Sequence, residues 1–187
     1  AVRTEQDVTT TVGVRLVLRE PAALINTADV PPEISVRLSG PTSAVRSLAP
    51  EQLAPVTLDL GSLKKGTTTI RIREEQLDLP PELSVVSISP STVTVRLETR
   101  AKKRVPVKPM LRGDPADGYA IERVSVDPGE VLIEGPQREV GEIRVVRTAP
   151  VDVAGATEPF TASVAFEMPA PHTRLEGQAQ GRAKVAV

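Results

Sequence analysis

One pattern occurs twice in the sequence, and this repeat constrains the fold more than any other feature. Val131 and Ile133 alternate with Leu132 and Glu134, so one face can be buried, and the strand stops at Gly135-Pro136. The first copy stops at Gly40-Pro41, and Gly135 lies 95 positions after Gly40. The same offset relates Val12 to Val107, Leu16 to Leu111, Val36 to Val131, Leu38 to Ile133, Val45 to Val140, Leu48 to Ile143 and Val56 to Val151. We therefore expect a tandem duplication of one domain.

Each copy predicts the same order of elements, which is a strand, a sharp stop, a short helix and an extended return. Gly permits turns that other residues resist, and Pro both removes a ladder donor and suits the first position of a helix. In the second copy, Val140 and Ile143 lie three residues apart and place one apolar stripe of the helix on the sheet. Because Gly135 stands at the stop, we expect its backbone to adopt a conformation that only glycine reaches without strain.

Composition favours an all-β protein, and the repeat divides it into two domains. The 187 residues include 18 Pro and 12 Gly, which separate short alternating runs. Since Tyr119, Phe160 and Phe166 are the only aromatic residues, the core must consist of Val, Leu and Ile, and β-branched residues favour strands. We expect one domain at residues 1–99 and a second at residues 105–187. Each should be a β-rich fold of two crossed or cradle-like sheets with one or two short helices.

A basic stretch, residues 100–104, separates the two copies. Four of its five residues are cationic, which fits either a solvated linker or an anion-binding patch. Runs of surface charge are usually solvated, so we favour a basic linker. At the start of the chain, residues 1–9 are polar, and we expect a frayed lead-in. The chain begins at Ala1 rather than Met, which suggests a trimmed segment, so the sequence does not decide whether a signal or anchor exists.

Residues suited to catalysis or metal binding are scarce. His172 is the only histidine and there is no Cys, so a catalytic triad or a typical metal site would lack partners. We therefore expect His172 to be an ordinary surface-loop residue. Glu74 and Glu75 are adjacent, which is a poor spacing for two carboxylates that share a substrate. We predict no catalytic, cofactor-binding or metal-binding residues and no cofactor, with an unrecognised hydrolase as a minor alternative.

Two further features bear on whether the chain binds a metal ion or a nucleic acid. The segment from Gly113 to Gly118 contains Asp114 and Asp117 but lacks the ligand spacing of a calcium loop, so we expect an ordinary turn. The formal charge is −1, and a basic groove with stacking aromatic residues is missing from the sequence. RNA or DNA binding is therefore disfavoured.

The repeated pattern resembles the YbbR domain. An extended segment followed by V-x-[VLI]-x-G-P, a short helix with two aliphatic residues and a T-x-[PV]-[VI]-[DT]-[LV] return is similar to that family over nearly the whole chain. In the second copy, Tyr119 to Val126 and the turn from Asp127 to Glu130 match as well. The first copy lacks the Tyr and has Pro31-Pro32-Glu33 at the turn.

The resemblance implies a non-enzymatic, extracytoplasmic module. YbbR domains usually follow one N-terminal transmembrane helix, and in many bacteria their partner is a membrane diadenylate cyclase, which makes cyclic di-AMP. The chain would then regulate or scaffold that cyclase through protein–protein contact at the outer face of the cell membrane. A structural or adhesive module of the cell envelope, without a cyclase, is the alternative. The sequence contains no apolar run long enough to span a membrane, so an anchor would lie outside these residues.

Overall fold

A computed structural model describes residues 5–187 and divides the chain into two units, Ala1–Glu98 and Thr99–Val187. The expectation of a β-rich fold with short helices is confirmed, since each unit has many strands and one α-helix. The elements in chain order are β1 (Asp7–Arg19), β2 (Leu24–Asn26), β3 (Glu33–Pro41), α1 (Thr42–Ser47), β4 (Val56–Asp59), β5 (Gly66–Arg71), β6 (Ser84–Ser89), β7 (Thr92–Lys108), β8 (Leu111–Arg112), β9 (Arg123–Asp127), β10 (Glu130–Pro136), α2 (Gln137–Glu142), β11 (Val146–Arg147), β12 (Val151–Asp152), β13 (Phe160–Ala165), β14 (Arg174–Glu176) and β15 (Gln180–Ala186).

The first unit contains a four-stranded sheet in the order β4-β1-β3-β6. Strand β3 is antiparallel to both of its neighbours, whereas β4 runs parallel to β1. Strands β2 and β5 pair with the first part of β7. On β3, Ile34, Val36 and Leu38 alternate with more exposed residues and are fully buried. The alternation therefore directs one face of the sheet into an aliphatic core, to which Val93, Val95 and Leu97 of β7 contribute.

The second unit repeats this plan. Its sheet has the order β11-β7-β10-β14, with the second part of β7 taking the place of β1. Again the strand next to the short helix, here β10, is antiparallel to both neighbours, and β11 runs parallel to β7. A three-stranded sheet, β13-β15-β9, completes the unit. The shared order and orientation of the strands confirm the duplication that the sequence predicts.

The register of the strands corrects one part of the alignment between the copies. Val36 lies opposite Val12 in the first unit, whereas Val131 lies opposite Val105 in the second. The expected match of Val12 with Val107 is therefore wrong by two residues. The aliphatic pattern did not reveal the shift, because moving a strand by two residues keeps the same side chains on the same face.

The offset of 95 is restored where the chain enters β8. Leu16 pairs with Val56 in the first unit, and Leu111 pairs with Val151 in the second, both in parallel register. The second unit thus accommodates two additional residues before Leu111, in the region where β7 ends and β8 begins.

The residues expected to form a linker lie within a strand. Residues 100–104 belong to β7 and pair with residues 132–136 of β10, and Ala101 packs against the core of the second unit. Residues 7–9, which we expected to fray, belong to β1 and pair with β3, while residues 1–4 lie outside the described part of the chain. In both places, pairing satisfies the backbone despite the polar side chains. The domain limits at residues 99 and 105 stay a prediction.

Gly40 and Gly135 are required for a close approach of two backbones. Neither has a positive φ, so the expected reason for a glycine at these positions is wrong. A Cβ atom on Gly135 would lie 2.9 Å from Cα of Thr173 and 3.1 Å from the carbonyl oxygen of His172. A Cβ atom on Gly40 would lie 2.8 Å from the carbonyl oxygen of Glu82. In each unit, the chain therefore crosses the end of a strand directly against a glycine that has no side chain.

We expect Gly135→Ala to destabilise the second unit by about 1–3 kcal/mol, because the added methyl group would displace the backbone at Thr173. Gly141→Ala is the matched control, since a Cβ atom there meets nothing within 4 Å. That change should be neutral or stabilising by up to about 1 kcal/mol, because Ala favours a helix. Tyr119 is the only Tyr and lies in the second unit, so its fluorescence during urea unfolding measures both variants. Equal stability of the two variants would contradict the close approach.

Candidate functional site

A groove in the second unit lies between α2 and the segment formed by residues 167–172. Its volume is about 770 Å³. The lining is partly apolar, with the buried Ile143 and the exposed Met168, and it includes charged residues of both signs. The charged lining residues are Arg138, Glu139, Glu142, Arg144, Arg147 and Glu167. We refer to this recess as the second groove.

Glu139 on α2 links the two walls of the second groove through hydrogen bonds with His172 and Thr173. The backbone N–H of His172 and the hydroxyl of Thr173 donate to Oε2 at 3.1 and 2.9 Å, and Nδ1 of His172 lies 2.7 Å from Oε1. Glu139 is only 9% exposed and Thr173 only 1%. The structure corrects the expectation that His172 is an ordinary surface residue, because its side chain is 34% exposed and contacts Glu139.

The hydrogen bonds lower the pKa of Glu139 from its ordinary value of 4.5. Burial acts in the opposite direction, but the hydrogen bonds from His172 and Thr173 together outweigh it, since they favour the carboxylate. A lowered pKa in the folded state means that the contact stabilises the unit fully above about pH 4.5. The stabilisation is lost as the pH falls through the folded pKa.

Glu134 on β10 forms a second buried polar centre. Arg100 donates to Oε1 at 2.9 Å, and Arg174 donates to Oε2 from Nε at 3.0 Å and from Nη2 at 2.7 Å. Glu134 alternates with Ile133 and so lies on the face opposite the aliphatic core, yet it is only 5% exposed. The hydrogen bond from Arg174, aided by Arg100, lowers the pKa of Glu134 even though burial raises it.

Three of the four basic residues at 100–104, which are Arg100, Lys102 and Lys103, are engaged within the unit. Besides Arg100, Lys102 forms an ion pair with Glu176 at 3.0 Å, and Lys103 donates to the carbonyl oxygen of Ile143 at 2.8 Å. These charged side chains therefore form contacts on the sheet and at the C-terminal end of α2. Neither a solvated linker nor an anion-binding patch, the two readings taken from the sequence, describes these residues.

The first unit has a groove at the equivalent place, beside α1 and residues 80–82, with a volume of about 550 Å³. At the offset of 95, Ala44 occupies the position of Glu139, and both residues lie on the short helix. Leu83 faces Gly40 as Thr173 faces Gly135. Because Ala44 and Leu83 pack with the aliphatic core, an apolar contact replaces the polar one.

The second polar centre is replaced in the same way. Ser39 pairs with Ser84 in the first unit, as Glu134 pairs with Arg174 in the second. The strand pairing is therefore the same in both units, whereas the side chains at these positions are polar in one unit and small or apolar in the other.

The polar groups on the walls of the second groove are hydrogen-bonded to one another. Both oxygens of Glu139 accept hydrogen bonds, and the hydroxyl of Thr173 is buried and donates to the same carboxylate. Over residues 5–187, there is no group of three His, Cys, Asp or Glu side chains that could hold a metal ion. The network instead fixes the two walls of the groove, which suits a surface that docks another molecule without changing shape.

The segment that resembled a calcium loop has the geometry of a turn. Gly113 and Gly118 have φ values of 84° and 85°, and the N–H of Tyr119 donates to the carbonyl oxygen of Ala116 at 2.9 Å. The two glycines are therefore explained by backbone conformation.

Sequence analysis did not single out Glu134 or Glu139, although the repeat contains a signal for both. At the offset of 95, these glutamates replace Ser39 and Ala44 in elements whose aliphatic positions are otherwise shared. A charged residue where the other copy has a small one predicts a local polar centre. Their partners Arg174 and His172 follow only from the fold, because they lie 40 and 33 residues away in sequence.

Comparison with known proteins gives a family match in both units. A family model described as YbbR-like protein matches residues 12–97 and residues 105–186. The chain is 28% identical over 131 residues to the CdaA regulatory protein CdaR of Bacillus subtilis (strain 168). The matched segment covers 69% of this chain. The matched part is only 26% of the length of that relative.

A solved structure shares the fold. The chain is similar to the crystal structure of a YbbR-like protein from Streptococcus pneumoniae, with a TM-score of 0.63 and 23% sequence identity. The comparison covers 100% of this chain and 97% of that one. Within residues 5–187, none of the helices has the length and apolar character needed to cross a membrane.

Glu139→Ala should loosen the segment that contains His172, because the backbone N–H of His172 loses its acceptor. We expect the exchange of that amide hydrogen to become at least about tenfold faster, which corresponds to roughly one net hydrogen bond. Glu142→Ala, on the exposed side of α2, is the control and should leave the exchange rate unchanged. Hydrogen exchange measured by NMR compares the two variants, and similar protection in both would show that Glu139 does not hold the segment.

Glu134→Gln should destabilise the second unit by about 2 kcal/mol near neutral pH, since Arg100 and Arg174 lose a charged acceptor. The difference from the parent chain should shrink as the pH falls below about 4.5 towards the lowered pKa of Glu134 in the folded state, because the parent loses the stabilisation of its charged carboxylate over that range. Urea unfolding at about pH 7 and about pH 3.5 tests this, with Glu142→Gln as a control expected to change stability by less than about 0.5 kcal/mol. A cost that is the same at both pH values would contradict the role of the carboxylate charge.

Proposed function

Since the chain belongs to the YbbR-like protein family, we propose that it is a non-enzymatic module that regulates or scaffolds a membrane diadenylate cyclase through protein–protein contact. The observation that carries this proposal is the family match in both units, together with the similarity to a relative named as a regulatory protein of CdaA. The shared part covers about a quarter of that relative, so its partner is extended to this chain as a proposal.

The geometry of the second unit supports contact with another protein. The lining of the second groove combines apolar residues with arginines and glutamates, a composition that suits a polar protein interface. Its walls are fixed by Glu139, so docking would cost little conformational entropy. His172 and Glu139 form a pair that resembles catalytic machinery, and this pair holds the loop.

We place the module at the extracytoplasmic face of the cell membrane, next to its partner. A membrane anchor elsewhere in the protein would confine both molecules to one surface and raise their effective concentration. A contact that is weak in dilute solution would then still be populated. Regulation by occupancy of such a contact needs neither a cofactor nor a bound nucleotide.

The test uses cells that produce the matching cyclase together with residues 1–187 fused to a single transmembrane helix. Cyclic di-AMP is measured against cells that carry the transmembrane helix alone. We expect the nucleotide level to differ between the two, and a photo-crosslinking residue at Arg144, on the rim of the second groove, to label the cyclase. A crosslinking residue at Ser125, an exposed position outside that groove, is the control.

Unchanged cyclic di-AMP with no crosslink would remove the regulatory proposal. A structural or adhesive module of the cell envelope would then be the better description. A crosslink without a change in cyclic di-AMP would retain the scaffolding part and reject regulation.

A further inference from the structure

Strand β6 forms an edge of the four-stranded sheet in the first unit. One side of the strand pairs with β3, and no strand among residues 5–187 pairs with the other side. The six residues of β6 read Ser-Val-Val-Ser-Ile-Ser, with neither a charge nor a proline. Edge strands are usually short, charged or interrupted by proline, because their free N–H and C=O groups attract another strand. We infer that β6 pairs with β6 of a second copy of this chain, which joins two sheets across a two-fold axis.

The equivalent edge in the second unit is protected. It is formed by β14, which has three residues, and Arg174 and Glu176 at its ends make ion pairs with Glu134 and Lys102. A short, charged edge of this kind resists pairing with another strand. The duplication therefore produced two edges at the same place in the fold, and the edge in the first unit is the longer one and carries no charge, with a bulge in its pairing with β3.

The side chains of β6 are complementary to themselves. A bulge in the pairing with β3 leaves Val85 and Ile88 both partly buried against the core. If the two-fold axis passes between Val86 and Ser87, Val85 lies opposite Ile88 of the other copy. The terminal serines of the strand then face each other as well. Aliphatic residues meet on the core side without like charges opposite one another, which is favourable in cross-strand pairs.

The charges at the two ends of β6 also favour a second copy as the partner. Glu82 lies two residues before the strand, and Arg71 pairs with Thr92 just after its end. Arg71 and Arg73 line an open groove beside β6, with a volume of about 500 Å³, together with Glu74-Glu75. In an antiparallel pair, Glu82 of one copy lies towards Arg71 of the other. This arrangement is isologous, which means that the two copies contribute the same surface and that each contact occurs twice, once on either side of the two-fold axis.

The inference is independent of the proposed function and is tested on the whole chain by analytical ultracentrifugation from about 10 µM to about 1 mM. We expect a reversible equilibrium between monomer and dimer. Val86 is 54% exposed, so Val86→Lys should leave the fold intact while placing two lysines across the axis. The variant should weaken the dimer at least about tenfold. Thr11→Lys makes the same kind of change on an exposed position of β1, an inner strand of the same sheet, and should have no effect.

A disulfide crosslink locates the contact, because the chain has no native Cys. Ser87→Cys should give a covalent dimer on oxidation, whereas Glu176→Cys on β14 should not. Far-ultraviolet circular dichroism and the thermal midpoint check that each variant is folded. Three results would overturn the inference: a monomer at every concentration, a dimer that Val86→Lys leaves unchanged, or a dimer that Thr11→Lys disrupts equally.

Discussion

The contact between a bare glycine and a crossing backbone is the constraint on which both units depend. Gly135 meets Thr173, and Gly40 meets Leu83, at distances that leave no room for a side chain. This contact brings the returning chain over the strand beside the short helix, and it thereby sets the wall of each groove. The hydrophobic effect supplies most of the driving force through the aliphatic clusters. The glycine decides where the covering segment can lie, because a packed interior tolerates little added volume.

Around this shared contact, the two units differ in the polarity of the side chains at equivalent positions. The first unit places small or aliphatic residues, such as Ser39, Ala44 and Leu83, where the second unit has Glu134, Glu139 and Thr173. Buried carboxylates are costly unless they are fully hydrogen-bonded, and the second unit meets that condition with two arginines and a histidine loop. The polar unit has a groove lined by six charged residues and a protected sheet edge, whereas the groove of the other unit has two charged lining residues and its sheet edge is uncharged. Duplication has therefore produced two different surfaces on one chain.

Much of the fold could be predicted from the sequence, because alternation and the Gly-Pro stop reflect local physics. The strand and helix beside Gly135, and the equivalent pair beside Gly40, lie where the pattern placed them. The reason for the glycine could not be predicted, since it depends on Thr173, which is distant in sequence. The same holds for residues 100–104, whose charges looked solvated until Glu134 and the carbonyl of Ile143 were found beside them. Contacts of this kind are set by topology and carry no local signature.

The glycine contact can be measured directly by the nuclear Overhauser effect between α-hydrogens in the unmodified chain. If the crossing backbone lies against each glycine, strong cross-peaks should connect Gly135 to Thr173 and Gly40 to Leu83. Both cross-peaks should be present, because the two units use the same kind of contact. A cross-peak in one unit alone, or in neither, would contradict the claim that a single glycine contact organises both copies of the fold.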